Sequence, residues 1–148
     1  DYRAIAELRW LLKRPVGSSE DLDHEGAFAA RYLQHLDACD SAGMTHHWLA
    51  EVDGEVVAVM TIRRVLKEPS PSGSSPCWGY LTNCVVKRTY RNRGIGTALL
   101  AEIRSWAVRE AFELLLVWPS ARSYPFYRRA GFTGQDDPLL LTINSDTD

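Results

Sequence analysis

The sequence predicts a single α/β domain in which helices flank a mixed, mostly antiparallel central sheet. Its 148 residues are one domain's length, enough to bury a core and cramped for two. The apolar spacing switches along the chain from a helical period of about 3.6 residues to the alternation of strands and back again. Between two strand-like runs stands Asp53-Gly54, the strongest short hairpin signal in the chain, which makes at least one strand pair antiparallel. Hydrophobic residues at 45% and charged residues at 24% exclude a disordered, collagen-like or coiled-coil chain. The longest apolar runs, 56–62 and 114–118, are strand-sized and well short of the roughly 18 residues a membrane helix needs.

Tyr2–Lys13 reads as a helix with Ile5, Leu8 and Leu12 on one face and Leu11 beside them, ending before Pro15. Residues 17–19 break it. A second helix covers 25–39, where Phe28, Tyr32 and Leu36 recur every four residues behind an acidic lead of Glu20, Asp21 and Asp23 that suits a helix N-terminus. Residues 47–52 and Glu55–Leu66 read as the paired strands of the hairpin. Residues 67–77, with Pro69, Pro71, Pro76, Gly73 and four serines, form the one loop long and loose enough to be mobile. A strand follows at 78–86, then a turn rich in Gly and Arg, then a third helix at 94–111 with Ile95, Leu99, Ile103 and Trp106 toward the core. Residues 113–118 make a short strand stopped by Pro119, 122–130 a short helix capped by Gly131, and 138–143 a last strand.

The chain opens on Asp1 rather than Met and shows no signal-peptide pattern, so its start reads as trimmed. Cys39, Cys77 and Cys84 are odd in number and lack a CxxC spacing, which argues against a disulfide framework or a metal site and for a reducing cytoplasm. The net charge of −2 conceals an asymmetry. Residues 87–129 hold nine basic side chains against three acidic ones, while the rest of the chain carries −8. A basic stretch inside an acidic protein points to a local anionic ligand rather than to a nucleic-acid surface.

That ligand has an obvious place. Val86 ends a strand, Ile95 starts a helix, and between them run Arg91, Asn92, Arg93 and Gly94, with Gly96 and Thr97 just beyond. Backbone N–H groups at a helix N-terminus lack intrahelical partners, and the helix dipole favours a phosphate there. Gly94 and Gly96 remove Cβ atoms from the approach, and Arg91 and Arg93 add charge-assisted bonds. The dinucleotide fingerprint needs glycine where Leu99 stands, and the triphosphate loop needs Gly-Lys-Ser/Thr where Ile95-Gly96-Thr97 stands, so both of those readings fail.

Arg91-Asn92-Arg93-Gly94-Ile95-Gly96 resembles the Gln/Arg-x-x-Gly-x-Gly/Ala signature of the GNAT superfamily of N-acetyltransferases, which lies between a strand and a helix. A second element of that superfamily, Phe-Tyr followed by x-x-x-Gly-Phe, is matched by Phe126-Tyr127-Arg128-Arg129-Ala130-Gly131-Phe132. The two lie at the family's separation, and the order of elements matches over nearly the whole chain. The resemblance implies one acyltransferase domain over 1–148 with acetyl-CoA as donor and an amine, on a small molecule or a protein, as acceptor. It implies that Arg91 to Thr97, through Asn92, Arg93, Gly94, Ile95 and Gly96, cradles the CoA pyrophosphate, and that the backbone of Cys84, Val85 and Val86 pairs with the pantetheine arm like an added strand. It implies that the strands at 78–86 and 113–118 splay to open a slot, with Ser120 standing where many members have an Asn beside the cofactor. Three departures accompany it. The usual first strand is absent, Arg88 replaces a common Pro, and Asn92 replaces a common Gly.

Attack of an amine on a thioester needs a neutral amine, a donor for the oxyanion and a proton for the departing thiolate. By the resemblance, Tyr127 is the general acid and cofactor contact, its phenol protonated at pH 7, and a backbone N–H near Val85 polarises the carbonyl. No base is evident. Some relatives carry a Glu on the later strand, where this chain has Leu114 to Trp118. Asn83 is positioned to orient a water or the amine, and Glu7, Asp21 or Glu25 could act through water, although each also reads as a solvated charge. His46 and His47 read as loop residues, the five tryptophans as packing, and Cys84 as a small apolar filler. The competing reading from another class is a non-catalytic acyl-CoA-binding regulatory module. Neither reading involves a metal, nucleic acid or membrane, and whether the chain is a homodimer is left open.

Overall fold

Residues 1–13, 22–71 and 77–134 are described by a computed structural model of the chain. Two units can be separated, Asp1–Trp118 and Pro119–Asp148. The first runs α1 (Tyr2–Lys13), α2 (Leu22–Ser41), β1 (Thr45–Val52), β2 (Glu55–Leu66), β3 (Cys77–Val86), a 3₁₀ turn (Arg88–Tyr90), α3 (Ile95–Arg109) and β4 (Leu114–Val117). The second holds a 3₁₀ turn (Ala121–Ser123) and α4 (Tyr124–Arg129). Residues 72–76 of the expected mobile loop and the expected strand at 138–143 lie outside the described residues. Among the described residues no helix is long and apolar enough to cross a membrane.

The sheet is mixed and mostly antiparallel, in the order β1-β2-β3-β4. β1, β2 and β3 pair antiparallel, and β4 joins β3 in parallel. The hairpin turn has φ 52° at Asp53 and 80° at Gly54, the double positive φ of a turn whose twist matches that of its strands. β1 begins at Thr45, not at 47, so His46 and His47 are strand residues paired with Ile62 and Thr61 rather than loop residues. α2 runs past Cys39 to Ser41 because Gly43, at φ 65°, closes the end: its N–H bonds to the Asp40 carbonyl at 2.9 Å, and the Met44 N–H bonds to that of Cys39 at 3.0 Å. The segment 122–130 divides into a 3₁₀ turn and a six-residue helix, with Pro125 early in that helix, where its missing N–H costs nothing.

Successive strand residues point to opposite faces. On one face α1 and α2 bury Ile5, Leu8 and Leu36 against Val59 and Val85, with Tyr32, Leu49 and Val56 at the margin. Each such side chain contributes about 1.5–3 kcal/mol. On the other face α3 turns Leu99, Leu100, Ile103 and Ala107 inward, and its Trp106 packs on His46 and Trp48 of β1 and on Phe112, at 4.7, 4.9 and 4.9 Å between centroids. The expected face of α1 is cut short, since Leu12 is exposed while Ala6 is buried.

A bulge interrupts the pairing of β2 with β3. Thr61 opposes Thr82 and Val59 opposes Val85, so Asn83 and Cys84 together face Met60 alone. Asn83 takes φ 50°, a left-handed conformation that Asn tolerates better than most residues. The extra residue reverses the parity of β3. Before it Tyr80 and Thr82 lie on the α1–α2 face, and after it Val85 does.

Candidate functional site

The turn into α3 has the local geometry of an anion cradle. Asn92 has φ 59° and Gly94 φ 78°, two left-handed residues that fold the backbone sharply back before the helix. Asn is a natural occupant of such a position. Gly94 leaves open space where a Cβ would be. The first intrahelical bond comes from the Ala98 N–H to the Gly94 carbonyl at 2.9 Å, so the amides of Ile95, Gly96 and Thr97 precede the ladder. No side chain caps them, and no acidic residue stands in the first turn, so a phosphate meets no competitor there.

The basic residues around the turn are employed unequally. Arg91 donates from Nε to the Val86 carbonyl at 3.0 Å, tying the turn to the end of β3. Lys87 and Tyr90 both bind Glu55, at 2.5 and 2.9 Å. These bonds hold the Glu55 carboxyl below its ordinary pKa, the Lys87 ammonium being the larger cause. Arg93 lies over the Tyr90 ring at 5.3 Å and, like Arg91 and Thr97, is exposed.

Immediately upstream, Cys84, Val85 and Val86 follow the bulge. Their partners on one side are in β2. On the other, pairing with β4 covers only Trp78↔Leu114 through Leu81↔Val117, and among the described residues no strand pairs with 84–86 on that edge. This is the edge along which the sequence leads one to expect a slot for an extended ligand. Val85 is buried, Cys84 and Val86 half-buried, so it is backbone rather than side chain that the edge presents.

Asn83 lines a cavity of about 260 Å³ between the sheet and helices α1 and α2. Two registered rows of polar side chains floor it. One is Thr45, Arg63 and Tyr80, and the next is His47, Thr61 and Thr82. Asn83 is 5% exposed; its amide donates to the Tyr32 hydroxyl at 3.3 Å, while its Oδ1 is buried without a partner among the described residues. Burial raises the Tyr32 pKa, with Arg9 and Arg63 opposing, so the phenol stays neutral.

His47 was not a predicted site residue, yet it stands in this floor. Its Nε2 lies 3.2 Å from Asp40 and its Nδ1 2.8 Å from the Thr61 hydroxyl. Because Asp40 only accepts as a carboxylate, Nε2 carries the proton and Nδ1 receives the Thr61 O–H. Both nitrogens are thus engaged, which makes His47 a buttress rather than a base with a lone pair to offer. Partial burial alone would raise the Asp40 pKa, but hydrogen bonds from Thr45, Tyr2 and His47 together hold it below 3.8. The available signal was alternation: Thr45-x-His47, Thr61-x-Arg63 and Tyr80-x-Thr82 place polar residues inward on three neighbouring strands.

Of the carboxylates considered as bases, Glu7 is exposed and paired with Arg3 at 3.3 Å, Glu25 is half-buried without lining the cavity, and Asp21 lies outside the described residues. Among the described residues no group of His, Cys, Asp and Glu is arranged to hold a metal ion.

Ser120 and Tyr127 belong to the second unit. Exposed Ser120 precedes its 3₁₀ turn; its carbonyl accepts from the Ser123 N–H at 2.8 Å, and its hydroxyl lies 3.0 Å from that of Ser123. Tyr127 is 6% exposed, set edge-to-face against Phe126 at 5.0 Å and Phe132 at 5.5 Å. The Phe132 N–H bonds to the Tyr127 carbonyl at 3.0 Å, with Gly131 at φ 93° making the reversal. The Phe-Tyr and Gly-Phe parts of the motif are therefore one locally closed unit.

A mixed α/β sheet with an open turn between β3 and α3 is the frame that comparison with known proteins places in a family. The family model for the acetyltransferase (GNAT) family matches residues 3–132, and the chain belongs to that family. Its structure is similar to that of a predicted acetyltransferase from Clostridium acetobutylicum with acetyl-CoA, at 20% identity and a TM-score of 0.75, covering 96% of this chain and 92% of that one. A GCN5-related N-acetyltransferase from Ralstonia eutropha JMP134 matches at 21% identity and a TM-score of 0.75, covering 97% and 94%. An acetyltransferase from Trypanosoma brucei matches at 19% and 0.71, covering 97% and 93%. Family and fold together support acyl-transfer activity.

Proposed function

We propose that the chain, acting as one functional domain in a reducing cytoplasm, is an N-acetyltransferase that moves an acetyl group from acetyl-CoA to an amine by direct attack. The observation that carries this reading is the left-handed turn at Asn92 and Gly94, without a side-chain cap or an acid in its first turn, entered from the end of β3 that no strand pairs among the described residues. The amides of Ile95, Gly96 and Thr97, with Arg91, Arg93 and Asn92 around them, hold the pyrophosphate. The backbone of Cys84, Val85 and Val86 pairs with the pantetheine arm, and Ser120 adds a polar contact. Acetyl-CoA supplies an activated acyl carbon as its thioester.

The amine nitrogen forms a bond to that carbon as the carbon–sulfur bond breaks. The amine loses a proton and the thiolate gains one. Tyr127, whose phenol is protonated at pH 7 before the reaction, gives the thiolate its proton and regains one from the water that receives the proton of the amine. Asn83 accepts an N–H of the amine at its unpartnered Oδ1 and so turns the lone pair toward the acyl carbon. The proton leaving nitrogen passes to water, since among the described residues no carboxylate lines the cavity.

The test is a thermal-shift titration with acetyl-CoA, with dephospho-CoA and NAD as controls, followed by an assay for CoA thiol released on adding amines. A ligand at 100 times its Kd adds about 2.7 kcal/mol of stability. A saturable rise specific to CoA compounds with amine-dependent thiol release is expected. A rise without release for any amine identifies a regulatory acyl-CoA-binding module, and no rise defeats the reading. Tyr127→Phe is expected to keep the rise and slow turnover by about 100-fold or more.

A further inference from the structure

The cavity beside Asn83 has a charge pattern that narrows the acceptor, given the reading above that the chain acylates an amine. Arg9 of α1 and Arg63 of β2 line it, both half-buried, and among the described residues neither meets a carboxylate. Among the described residues the Arg63 Nη2 reaches His35 Nε2 and, at 3.7 Å, Cys39 Sγ. A nearby acid among the described residues, Asp40, already accepts from Thr45, Tyr2 and His47. A half-buried guanidinium without a counter-charge costs desolvation energy with nothing to offset it, an arrangement made good by an anion from outside. The same cavity holds the reverse deficit, the buried Asn83 Oδ1 that lacks a donor among the described residues.

Arg63 is registered with Tyr80, three residues before Asn83, so the two deficits lie on the order of 7–10 Å apart along β3. A volume of about 260 Å³ suits a small molecule spanning them. We propose that the acceptor is a small amine carrying an acid group, carboxylate or phosphate, whose anion is held by Arg63 and Arg9 while its amine meets Asn83 beside the bulge. The guanidinium fork matches either acid by paired, charge-assisted bonds. Neutral amines and polyamines leave the two arginines unanswered, and the latter add like charge.

The test compares ω-amino acids of three to six carbons and O-phosphoethanolamine with the amides or alcohols of the same lengths and with diaminoalkanes, by CoA thiol release from acetyl-CoA. The acids are expected to exceed their neutral partners at least tenfold in kcat/KM, and the better of carboxylate and phosphate identifies the acid. Arg63→Gln and Arg9→Gln should each erase at least tenfold of that preference through KM, with the acetyl-CoA thermal shift retained as proof of folding and Arg63→Lys restoring part of it. Preference for neutral or dicationic amines, or a preference the substitutions leave intact, overturns the proposal. If no amine is turned over, thermal shifts with γ-aminobutyrate and inorganic phosphate decide it: a rise lost in both glutamine variants upholds the site, and no rise for either probe overturns it. Failure of acetyl-CoA itself to bind would defeat the acetyltransferase reading, and the phosphate titration would still judge the cavity.

Discussion

His46 shows how much one residue's surroundings alter its chemistry. It neighbours His47, yet the strand turns it to the opposite face, where its ring packs on Trp106 and its Nε2 accepts from Arg64 Nε at 3.3 Å. Burial first, and then the Arg64 charge, push its pKa below 6.5, with Glu110 and Asp40 opposing. A folded pKa below the unfolded value means that the unfolded chain binds more protons as pH falls. The stability is therefore present above pH 6.5 and is lost as pH drops through the folded value. His46→Gln keeps an acceptor for Arg64 without a titratable group, so its melting temperature is expected to fall less steeply between pH 7.5 and 5.5 than that of the parent. Parallel slopes would show that His46 does not report the acid sensitivity.

At the scale of elements, close packing depends on positions that sequence patterns do not mark. Gly79 of β3 is such a position: a Cβ there would meet Leu115 Cδ2 at 2.6 Å, Phe112 Cδ1 at 3.2 Å and Ile62 Cγ2 at 3.3 Å. Gly79→Val is expected to cost about 1–3 kcal/mol by overpacking, read as a lower denaturant midpoint with an unchanged slope. In the turn the demand is for access instead. Gly96→Trp should abolish the thermal shift with acetyl-CoA while circular dichroism of the apo protein stays that of the parent, because the substituent fills the approach to the amides and leaves the sheet untouched. The same contrast explains what the sequence made legible. The hairpin at Asp53-Gly54 and the turn at Asn92 to Gly96 are local, set by φ preferences carried in the residues themselves, and both were readable. The cavity was not, because His47, Arg63 and Tyr80 are brought together by register and parity, and the bulge at Asn83 that resets the parity of β3 has no signature in a run such as Leu81-Thr82-Asn83-Cys84-Val85. The start of β1 was missed for a related reason: His46 and His47 look like polar loop residues until Trp106 on one face and Asp40 on the other give each a partner.

For the whole molecule the governing feature is uneven charge. Nine basic against three acidic residues in 87–129, within a chain of net charge −2, produce a field that attracts an anion locally while the protein as a whole repels a polyanion. Acetyl-CoA binding should therefore weaken with salt, because the exposed Arg91 and Arg93 act through solvent and the screening length falls from about 10 Å at 0.1 M to about 3 Å at 1 M. On the proposed reading it should not vanish, because the amides that open α3 would bond at contact distance and the pantetheine arm would pair with backbone. We expect the Kd measured by isothermal titration to rise about three- to tenfold over that range, with a smaller rise for dephospho-CoA, which carries fewer charges. Nucleic acid, if it bound through these arginines, would instead lose affinity with the far steeper dependence that follows from releasing several condensed counterions at once. A salt-independent Kd for acetyl-CoA would assign binding to the backbone alone and leave the arginines of the turn to hold its shape, as Arg91 already does through the Val86 carbonyl.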